Sequence, residues 1–359
     1  MRIVQILPVL AFGDAVGNDT RALKDALLEA GYETEIYAAV IDERLPQGTA
    51  EPFDMLEKLE EDDIVIYHLS TGHKLNYEIE KLGGKKVILY HNITPEQYFK
   101  KYNRDASSSC AQGIKAAKRL AKIADYAIAD SAYNKEDLIR YGFTCDIDVL
   151  PILIPFEDYE KKPNAGILRR YNDDYVNILF TGRVVPNKKQ EDIIQAFYYY
   201  KNYINPKSRL ILVGSYAGID KYHEQLEAYV RELGLADVIF TGQIKFDEIL
   251  AYYHLADVFL CMSEHEGFCV PIVESMYFDV PVVARDTSAI AWTMGGSGLL
   301  LPDNDPIIAA EMVNRVLADE ALKEKILKNQ RIRLQDFDNQ KVKTQFLQII
   351  DKIIQGDIR

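Results

Sequence analysis

The sequence is poor in the features that mark secreted, membrane-spanning and nucleic-acid-binding proteins. Its four cysteines among 359 residues show no CxxC or Cys/His spacing, and Cys261 and Cys269 lie in apolar segments, which favours reduced thiols. No apolar run reaches the length of a membrane span, and Met1 leads directly into a strand. A net charge of −13 argues against nucleic acid as a partner. We therefore expect a cytoplasmic protein in which any anion is bound by local basic groups.

Short apolar runs alternate with helical stretches along most of the chain. Such alternation implies parallel sheets covered by helices on both faces. We predict an α/β fold of two Rossmann-like doubly wound domains, residues 1–163 and 164–336, facing across a cleft. A last helix, roughly 339–354, carries an apolar stripe that needs a partner surface. The predicted strands are 3–7, 34–38, 64–68, 87–90, 126–130, 177–181, 209–213, 238–241, 258–262 and 280–284.

Residues 257–285 combine a buried strand, a polar loop, a short helix and a second strand. Glu266 lies just before the helix and Glu274 lies inside it, while Pro271 suits the first helical turn because it lacks an N–H. Other glutamate pairs share the spacing, so the spacing alone favours solvated surface carboxylates. The flanking strands, however, put this pair at the mouth of an α/β crevice, beside helix N–H groups that can bind an anion. This context predicts a ligand site.

The segment TGRVVPNKK, residues 181–189, follows the first strand of the second domain. Arg183 and Lys188 lie just past the carboxyl end of that strand, on a loop made tight by Gly182 and Pro186. A guanidinium group and an ammonium group at this place can neutralise a departing diphosphate without a metal ion. The position therefore favours an anion site over an ordinary surface Arg and Lys.

The first domain offers a glycine-containing loop and two histidines. The loop GDAVG, residues 13–17, lets the backbone approach a phosphate or a sugar, although it is not the GxGxxG fingerprint. Asn18 or Asp19 is predicted to cap the helix that follows. His91 ends the strand KVILYH on the presumed cleft face, a position equally compatible with a substrate contact and a structural role. His68, at the end of another strand, is a weaker candidate for the acceptor side.

Two other patterns favour less specific interpretations. The DxD triplets at 146–148 and 303–305 have the form of a metal-bound nucleotide-sugar site, but the first enters a strand and the second lies in a Pro-flanked turn. We therefore expect no metal. A helix at roughly 111–124 is basic and amphipathic, and a solvated face is favoured over contact with anionic lipid or a lipid-diphosphate acceptor.

Taken together, these motifs resemble the retaining glycosyltransferase family 4, which has the GT-B fold. The resemblance covers essentially the whole chain and is most specific in GRVVPNKK and in SEHEGFCVPIVES, which looks like the EX7E signature of that family. ILPVLAFGDAVGND and LYHNITPEQYF look like a bacterial subgroup that builds surface polysaccharides, often by mannosyl transfer. The resemblance also implies that the helical segment 337–359 packs back on the first domain.

The resemblance implies roles for the matched side chains. Arg183 and Lys188 would bind the donor diphosphate. Glu274 would hold the nucleotide ribose, and Glu266 and His91 would lie near the transferred sugar as the candidate catalytic residues.

Backbone groups are expected to complete the donor site. Main-chain atoms of Gly267, Phe268, Cys269 and Val270 would contact the donor sugar or its phosphate.

The acceptor or phosphate loop of the first domain departs from the family pattern. Many family members carry two adjacent glycines there, whereas Gly13 and Gly17 are separated in this chain. Asp14, between them, is expected either to face the acceptor or to shape the turn.

The resemblance predicts a metal-independent, cofactor-free transfer of a sugar, preferably mannose from GDP-mannose, to a glycan or lipid-linked acceptor of polysaccharide biosynthesis. Such an enzyme would be cytoplasmic, with peripheral contact at the inner membrane surface as an option. The alternatives are a UDP-sugar-using GT-B enzyme, such as a glucosyl or N-acetylglucosaminyl transferase or an epimerase, an inverting transferase, and a catalytically silent partner subunit. An NAD-dependent enzyme is disfavoured because no acidic residue follows a proper glycine fingerprint.

Overall fold

A computed structural model describes residues 1–358, and the chain divides into two units. The first contains residues 1–97, 104–155 and the segment from Phe337 onward; the second contains Tyr98–Asn103 and Phe156–Asp336. The chain thus changes unit after Pro155, whereas the sequence prediction set that boundary after residue 163. Within residues 1–358, no helix is both long and apolar enough to cross a membrane.

The described residues form thirteen strands and fourteen α-helices, which are numbered in chain order. The strands are β1 (Ile3–Leu10), β2 (Thr34–Ile41), β3 (Glu51–Pro52), β4 (Ile64–Leu69), β5 (Lys85–Tyr90), β6 (Tyr126–Ala129), β7 (Ile147–Val149), β8 (Val176–Thr181), β9 (Ser208–Val213), β10 (Val238–Gly242), β11 (Val258–Cys261), β12 (Val282–Arg285) and β13 (Leu299–Leu301). The helices are α1 (Ala15–Glu29), α2 (Leu75–Glu78), α3 (Arg104–Leu120), α4 (Ala132–Tyr141), α5 (Phe156–Tyr159), α6 (Ala165–Tyr171), α7 (Gln190–Tyr199), α8 (Asp220–Glu232), α9 (Phe246–Leu255), α10 (Val270–Tyr277), α11 (Ile290–Met294), α12 (Pro306–Ala318), α13 (Glu320–Leu334) and α14 (Asn339–Gln355).

Each unit contains one parallel sheet. The strand order is β3-β2-β1-β4-β5-β6-β7 in the first unit and β10-β9-β8-β11-β12-β13 in the second. All ten predicted strands are present. β7 is the strand that the triplet at 146–148 was expected to enter, and β3 and β13, two and three residues long, are too short to leave a pattern in the sequence. In each sheet the strand order reverses between two neighbouring strands, which are β1 and β4 in the first unit and β8 and β11 in the second. Such a reversal is called a switch point, and this class of fold binds ligands there.

The beginning of α1 differs from the prediction. The cap is Asp14, whose Oδ1 accepts a hydrogen bond from the backbone N–H of Gly17 at 2.7 Å, and neither Asn18 nor Asp19 is the cap. Gly17 therefore lies inside the helix and not in a loop. A Cβ at Gly17 would be 2.7 Å from the carbonyl oxygen of Ala11, so the glycine lets the helix approach the end of β1.

The last helix, α14, completes the core of the first unit. Its apolar stripe packs with side chains of α1 and of the central strands, including Leu27 and Ile66. Polar bonds fix the same helix, because the side chain of Gln345 donates to the carbonyl oxygen of Val149 at 2.8 Å. The stripe consists of the buried residues Val342, Phe346, Ile349, Ile350 and Ile353.

The basic helix α3 begins at Arg104, earlier than predicted, and ends at Leu120. Its buried face holds Ala116 and Ala117, as a helix packed on a sheet requires. Lys115 and Lys118 are exposed on the opposite face.

Candidate active site

The switch point of the second sheet brings two predicted loops together. The loop after β8 contains Lys188, and the loop after the neighbouring strand β11 contains Glu266. Asn187 joins them, because its carbonyl oxygen accepts from the N–H of Glu264 at 2.8 Å and its side-chain amide donates to the carbonyl oxygen of His265 at 3.0 Å. Asn187 was not predicted, although it lies within the motif that was singled out.

Lys188 and Glu266 form an ion pair. The Nζ atom of Lys188 lies 2.5 Å from Oε2 of Glu266, and the two side chains are 20% and 7% exposed. Burial lowers the pKa of Lys188, but the neighbouring Glu266 carboxylate outweighs burial, so the net pKa is raised above its usual value. Lys188 is therefore a fixed, partly desolvated cation, which interacts with a bound anion more strongly than a solvated lysine does.

Arg183 lies on the same loop with an exposed side chain. Its backbone is held by Gln190, whose side-chain amide donates to the carbonyl oxygen of Arg183 at 3.0 Å. The loop also packs tightly against the end of β9, because a Cβ on Gly214 would lie 1.9 Å from the carbonyl oxygen of Gly182. The backbone is thus fixed, while the guanidinium group faces solvent.

The segment from Gly267 to Val270 leads into α10. Phe268 and Cys269 are buried, and Cys269 caps the helix in the left-handed region, at a φ of 73°. The carbonyl oxygen of Phe268 accepts a hydrogen bond from Thr293. Since the first N–H groups of a helix have no acceptor in a preceding turn, the start of α10 beside Glu266 suits an anion.

Glu274 is held by two tyrosines that the sequence analysis missed. Its Oε1 accepts from the hydroxyl of Tyr159 at 3.0 Å, and its Oε2 accepts from the hydroxyl of Tyr253 at 2.6 Å. The Tyr253 oxygen also lies 2.6 Å from Oγ1 of Thr181, at the end of β8. Burial raises the pKa of Glu274, and the two hydroxyls partly offset that rise. Each carboxylate oxygen retains capacity to accept from a ligand hydroxyl.

The first unit has a second polar cluster, at the carboxyl edge of its sheet. Here β4 contributes His68 and β6 is followed by Asp130, while His91 follows β5 between them. Nδ1 of His91 lies 3.0 Å from Oδ2 of Asp130, and Nε2 of His91 lies 2.8 Å from Nδ1 of His68. The His91 side chain is only 1% exposed. Both ring nitrogens are therefore engaged inside the unit, and a ring contact with a sugar would require one of these bonds to open.

The predicted acceptor loop lies near this cluster. Asp14 caps α1 and is exposed, and Gly13 adopts a φ of 74°, which favours glycine. The negative charge of Asp14 contributes to raising the pKa of His91. Asp14 thus shapes the turn, as one of the two predicted options, and it remains accessible from solvent.

Two groups of side chains have the composition of a metal site, and members of both groups also have other partners. In Asp19, His68 and His91 the candidate ligand atoms lie within 4.8 Å of one another, yet the two imidazoles are already hydrogen-bonded to each other. In the second group, Cys261, Glu266 and Cys269, the Glu266 carboxylate is paired with the ammonium group of Lys188, which repels a cation.

Asp19 gives the first unit a pH-dependent stability. Burial raises its pKa to about 7, although its Oδ1 accepts from the N–H of Leu153 at 2.8 Å. As the pH rises from about 4 to about 7, the unfolded chain releases this proton while the native state keeps it, so the free energy of unfolding falls. We expect Asp19→Asn, which keeps an acceptor for Leu153, to be more stable than wild type at about pH 8 by up to about 4 kcal/mol.

Urea unfolding at about pH 4 and pH 8 tests this, because the difference between the two proteins must shrink at the lower pH. Equal pH dependence of wild type and Asp19→Asn would show that Asp19 is ionised in the native state.

Comparison with solved structures defines the fold class. Sucrose-phosphate synthase from Thermosynechococcus elongatus matches with a TM-score of 0.76 at 19% identity, over 99% of this chain and 100% of that one. HepE from Anabaena, solved with UDP and glucose, matches with a TM-score of 0.70 at 18% identity, over 98% of this chain and 100% of that one. The chain has the GT-B fold, and that prediction is confirmed.

Sequence comparison then finds similar glycosyltransferases. Residues 168–333 match the family model described as glycosyl transferases group 1. O-antigen chain mannosyltransferase B of Escherichia coli is 25% identical over 268 residues, 70% of this chain and 66% of that protein. A Campylobacter jejuni alpha-1,4-N-acetyl-D-galactosaminyltransferase is 26% identical over 179 residues, 49% of this chain and 48% of that protein. The chain thus spans about two thirds or less of the length of these relatives.

Proposed function

We propose that this protein transfers a hexose from a nucleoside-diphosphate sugar to a hydroxyl group of a glycan or lipid-linked acceptor. The observation that carries the proposal is the desolvated Lys188–Glu266 pair at the switch point of a group 1 glycosyltransferase domain. A cation at this edge suits a diphosphate, and a carboxylate beside it suits a sugar hydroxyl.

The proposed chemistry is electrostatic stabilisation of the leaving group. As the bond between the sugar and the diphosphate breaks, negative charge grows on the departing phosphate. Lys188 provides a fixed positive charge, Arg183 provides a second, exposed cation, and the N-terminus of α10 provides N–H donors to the departing phosphate. Glu266 orients the sugar, and main-chain groups of residues 267–270 contact it. Retention of the anomeric configuration is proposed from the family 4 resemblance.

The sugar and the nucleotide base are finer proposals. GDP-mannose is preferred because the matched relatives include proteins named as O-antigen and serotype-specific mannosyltransferases of Escherichia coli. A UDP-sugar is the second candidate, because HepE was solved with UDP-glucose. A solvated face remains the favoured interpretation of the exposed lysines of α3, and contact with the anionic headgroup of a lipid-linked acceptor is the alternative.

A thermal-shift panel of GDP-, UDP-, ADP- and dTDP-sugars tests the donor. A donor that binds the folded state raises the melting temperature, by an amount that grows with its concentration over Kd. We expect GDP-mannose to give the largest shift. A larger shift with a UDP-sugar would assign the second candidate, and no shift with any donor would contradict the proposed function.

Transfer is expected to need no divalent ion. Because the cationic side chains and helix N–H groups supply the positive charge, activity after treatment with EDTA should equal that of the untreated protein within about twofold. The measurement is the rate of product formation with and without added Mg²⁺. Loss of activity that Mg²⁺ restores would show that a metal ion carries part of the charge.

A further inference from the structure

A chain of hydrogen bonds in the first unit begins at a backbone carbonyl. Gln5, on β1, is fully buried, and its Nε2 donates to the carbonyl oxygen of Thr20 at 3.1 Å. A carbonyl oxygen only accepts, so the amide orientation of Gln5 is fixed, with Nε2 toward Thr20. Its Oε1 then points at His68, where it can only accept.

The hydrogen bond to Gln5 determines which tautomer His68 adopts. Its Nε2 lies 2.9 Å from Oε1 of Gln5, so Nε2 carries a proton. The ring is completely buried, and burial lowers its pKa well below the usual value, so the ring is neutral and Nδ1 is a bare acceptor. Oγ1 of Thr20 lies 3.3 Å from that Nδ1 but already donates to the carbonyl oxygen of Val16 at 2.7 Å, so it supplies no proton.

His91 is the next member of the chain. Since Nδ1 of His68 only accepts, Nε2 of His91 must donate across the 2.8 Å separation. Nδ1 of His91 faces Oδ2 of Asp130, a carboxylate whose side chain is 2% exposed. We propose that Gln5 and His68 hold His91 as an imidazolium ion that donates from both ring nitrogens, one to His68 and the other to Asp130.

The charges around His91 support this protonation state. Carboxylates reach it from Asp130, after β6, and from Asp14, at the start of α1, while Asp19, on α1, adds a third charge only above the pKa of about 7 at which it ionises. Burial lowers the pKa of His91, but these carboxylates, Asp130 first, outweigh burial and raise the net pKa. The remaining neighbour, His68 on β4, is neutral and adds no competing charge.

The consequence for catalysis rests on the proposed function. In a transferase whose acceptor lies on the first unit, the imidazolium is a fixed cation beside the exposed Asp14. Gln5 and His68 touch no substrate in this arrangement and act through His91, as positioning residues. Their loss should change the pH dependence of transfer more than the binding of the donor, because donor contacts belong to the second unit.

Heteronuclear NMR of the imidazole nitrogens in the full chain tests the protonation state directly. The resonances are assigned by their disappearance in His68→Asn and His91→Asn. Between about pH 6 and 8 we expect two protonated nitrogens for His91 and one, Nε2, for His68. A single protonated nitrogen on His91 across this range would overturn the proposal.

Gln5→Met removes the anchor while keeping the side-chain volume. His68 is then free to change tautomer, and we expect His91 to lose its second proton at a pH lower by about one unit or more, with the alkaline limb of the transfer rate moving by the same amount. Gln330→Met is the matched control. Gln330 is equally buried, and its amide also makes two hydrogen bonds, to the backbone of Val280 and of Val282 in the second unit. It should lower stability without moving the His91 titration.

Asp130→Asn gives a second variant in case Gln5→Met does not fold. Its amide replaces the carboxylate without the charge, so His91 should show one protonated nitrogen at about pH 7. An unchanged His91 in either folded variant would contradict the proposal. Failure of the proposed function gives a different result. The protonation of His91 measured by NMR would be as expected, while no nucleotide sugar would bind or react.

Discussion

Replacing Lys188 with Met should lower the rate of sugar transfer by about 10²–10³-fold with every donor base. At the proposed donor site, the variant removes a partly desolvated cation from beside the leaving diphosphate, and it leaves the Glu266 carboxylate, 7% exposed, without its partner. The measurement is kcat with saturating donor, compared for GDP- and UDP-sugars. A base-independent loss is expected because Lys188 is proposed to bind the diphosphate, which all these donors share.

The neighbouring lysine provides the control. Lys189 pairs with Glu191 and Glu264 at 3.5 and 3.6 Å, so Lys189→Met removes a comparable charge from the same loop without touching Glu266. It should retain turnover within a few fold.

The double variant of Lys188 and Glu266 then separates the two effects of the first substitution. If Glu266→Gln restores part of the turnover of Lys188→Met, the unpaired carboxylate accounts for that part. Wild-type turnover in Lys188→Met would refute the diphosphate role.

Replacing Glu274 with Ala should weaken donor binding by about 10–100-fold, because hydrogen bonds to a charged group contribute about 1.5–3 kcal/mol. If Glu274 holds the ribose, its contribution to binding requires the ribose hydroxyls. Removing the ribose hydroxyls from the nucleotide should weaken binding to wild type by a similar factor and should weaken binding to Glu274→Ala hardly at all. Isothermal calorimetry with the nucleotide diphosphate and its dideoxy analogue closes this cycle.

The two tyrosines distinguish direct from indirect effects at Glu274. Tyr253→Phe and Tyr159→Phe each remove one hydroxyl that donates to the carboxylate, while the carboxylate itself remains. They should reduce donor affinity by less than Glu274→Ala does, and both should keep the preference for an intact ribose. If the dideoxy analogue binds wild type as tightly as the parent nucleotide, Glu274 does not hold the ribose.

Local sequence patterns proved reliable where they report on a single element. Every strand predicted from an apolar run is present in the structure, and α10 begins where the context of Pro271 predicts. The cap of α1 was missed because Asp14, Asn18 and Asp19 all have side chains suited to that position. Which of the three caps the helix depends on where β1 ends. The apolar pattern continues into Leu10 and does not mark that end.

The two parallel α/β units of this protein can be predicted from its sequence, because the alternation of apolar runs and helical stretches is a local property. The same is true of the positions of four side chains after strands of the second unit: Arg183, Lys188, Glu266 and Glu274. Which of these side chains contact each other depends on the packing of the strands, and the sequence pattern does not show it. The pairing of Lys188 with Glu266, across 78 residues, requires β8 and β11 to be neighbours, and strand order leaves no periodic trace. The same holds for Gln5, which the sequence analysis did not consider: its effect on His91 exists only because β1, β4 and β5 lie side by side.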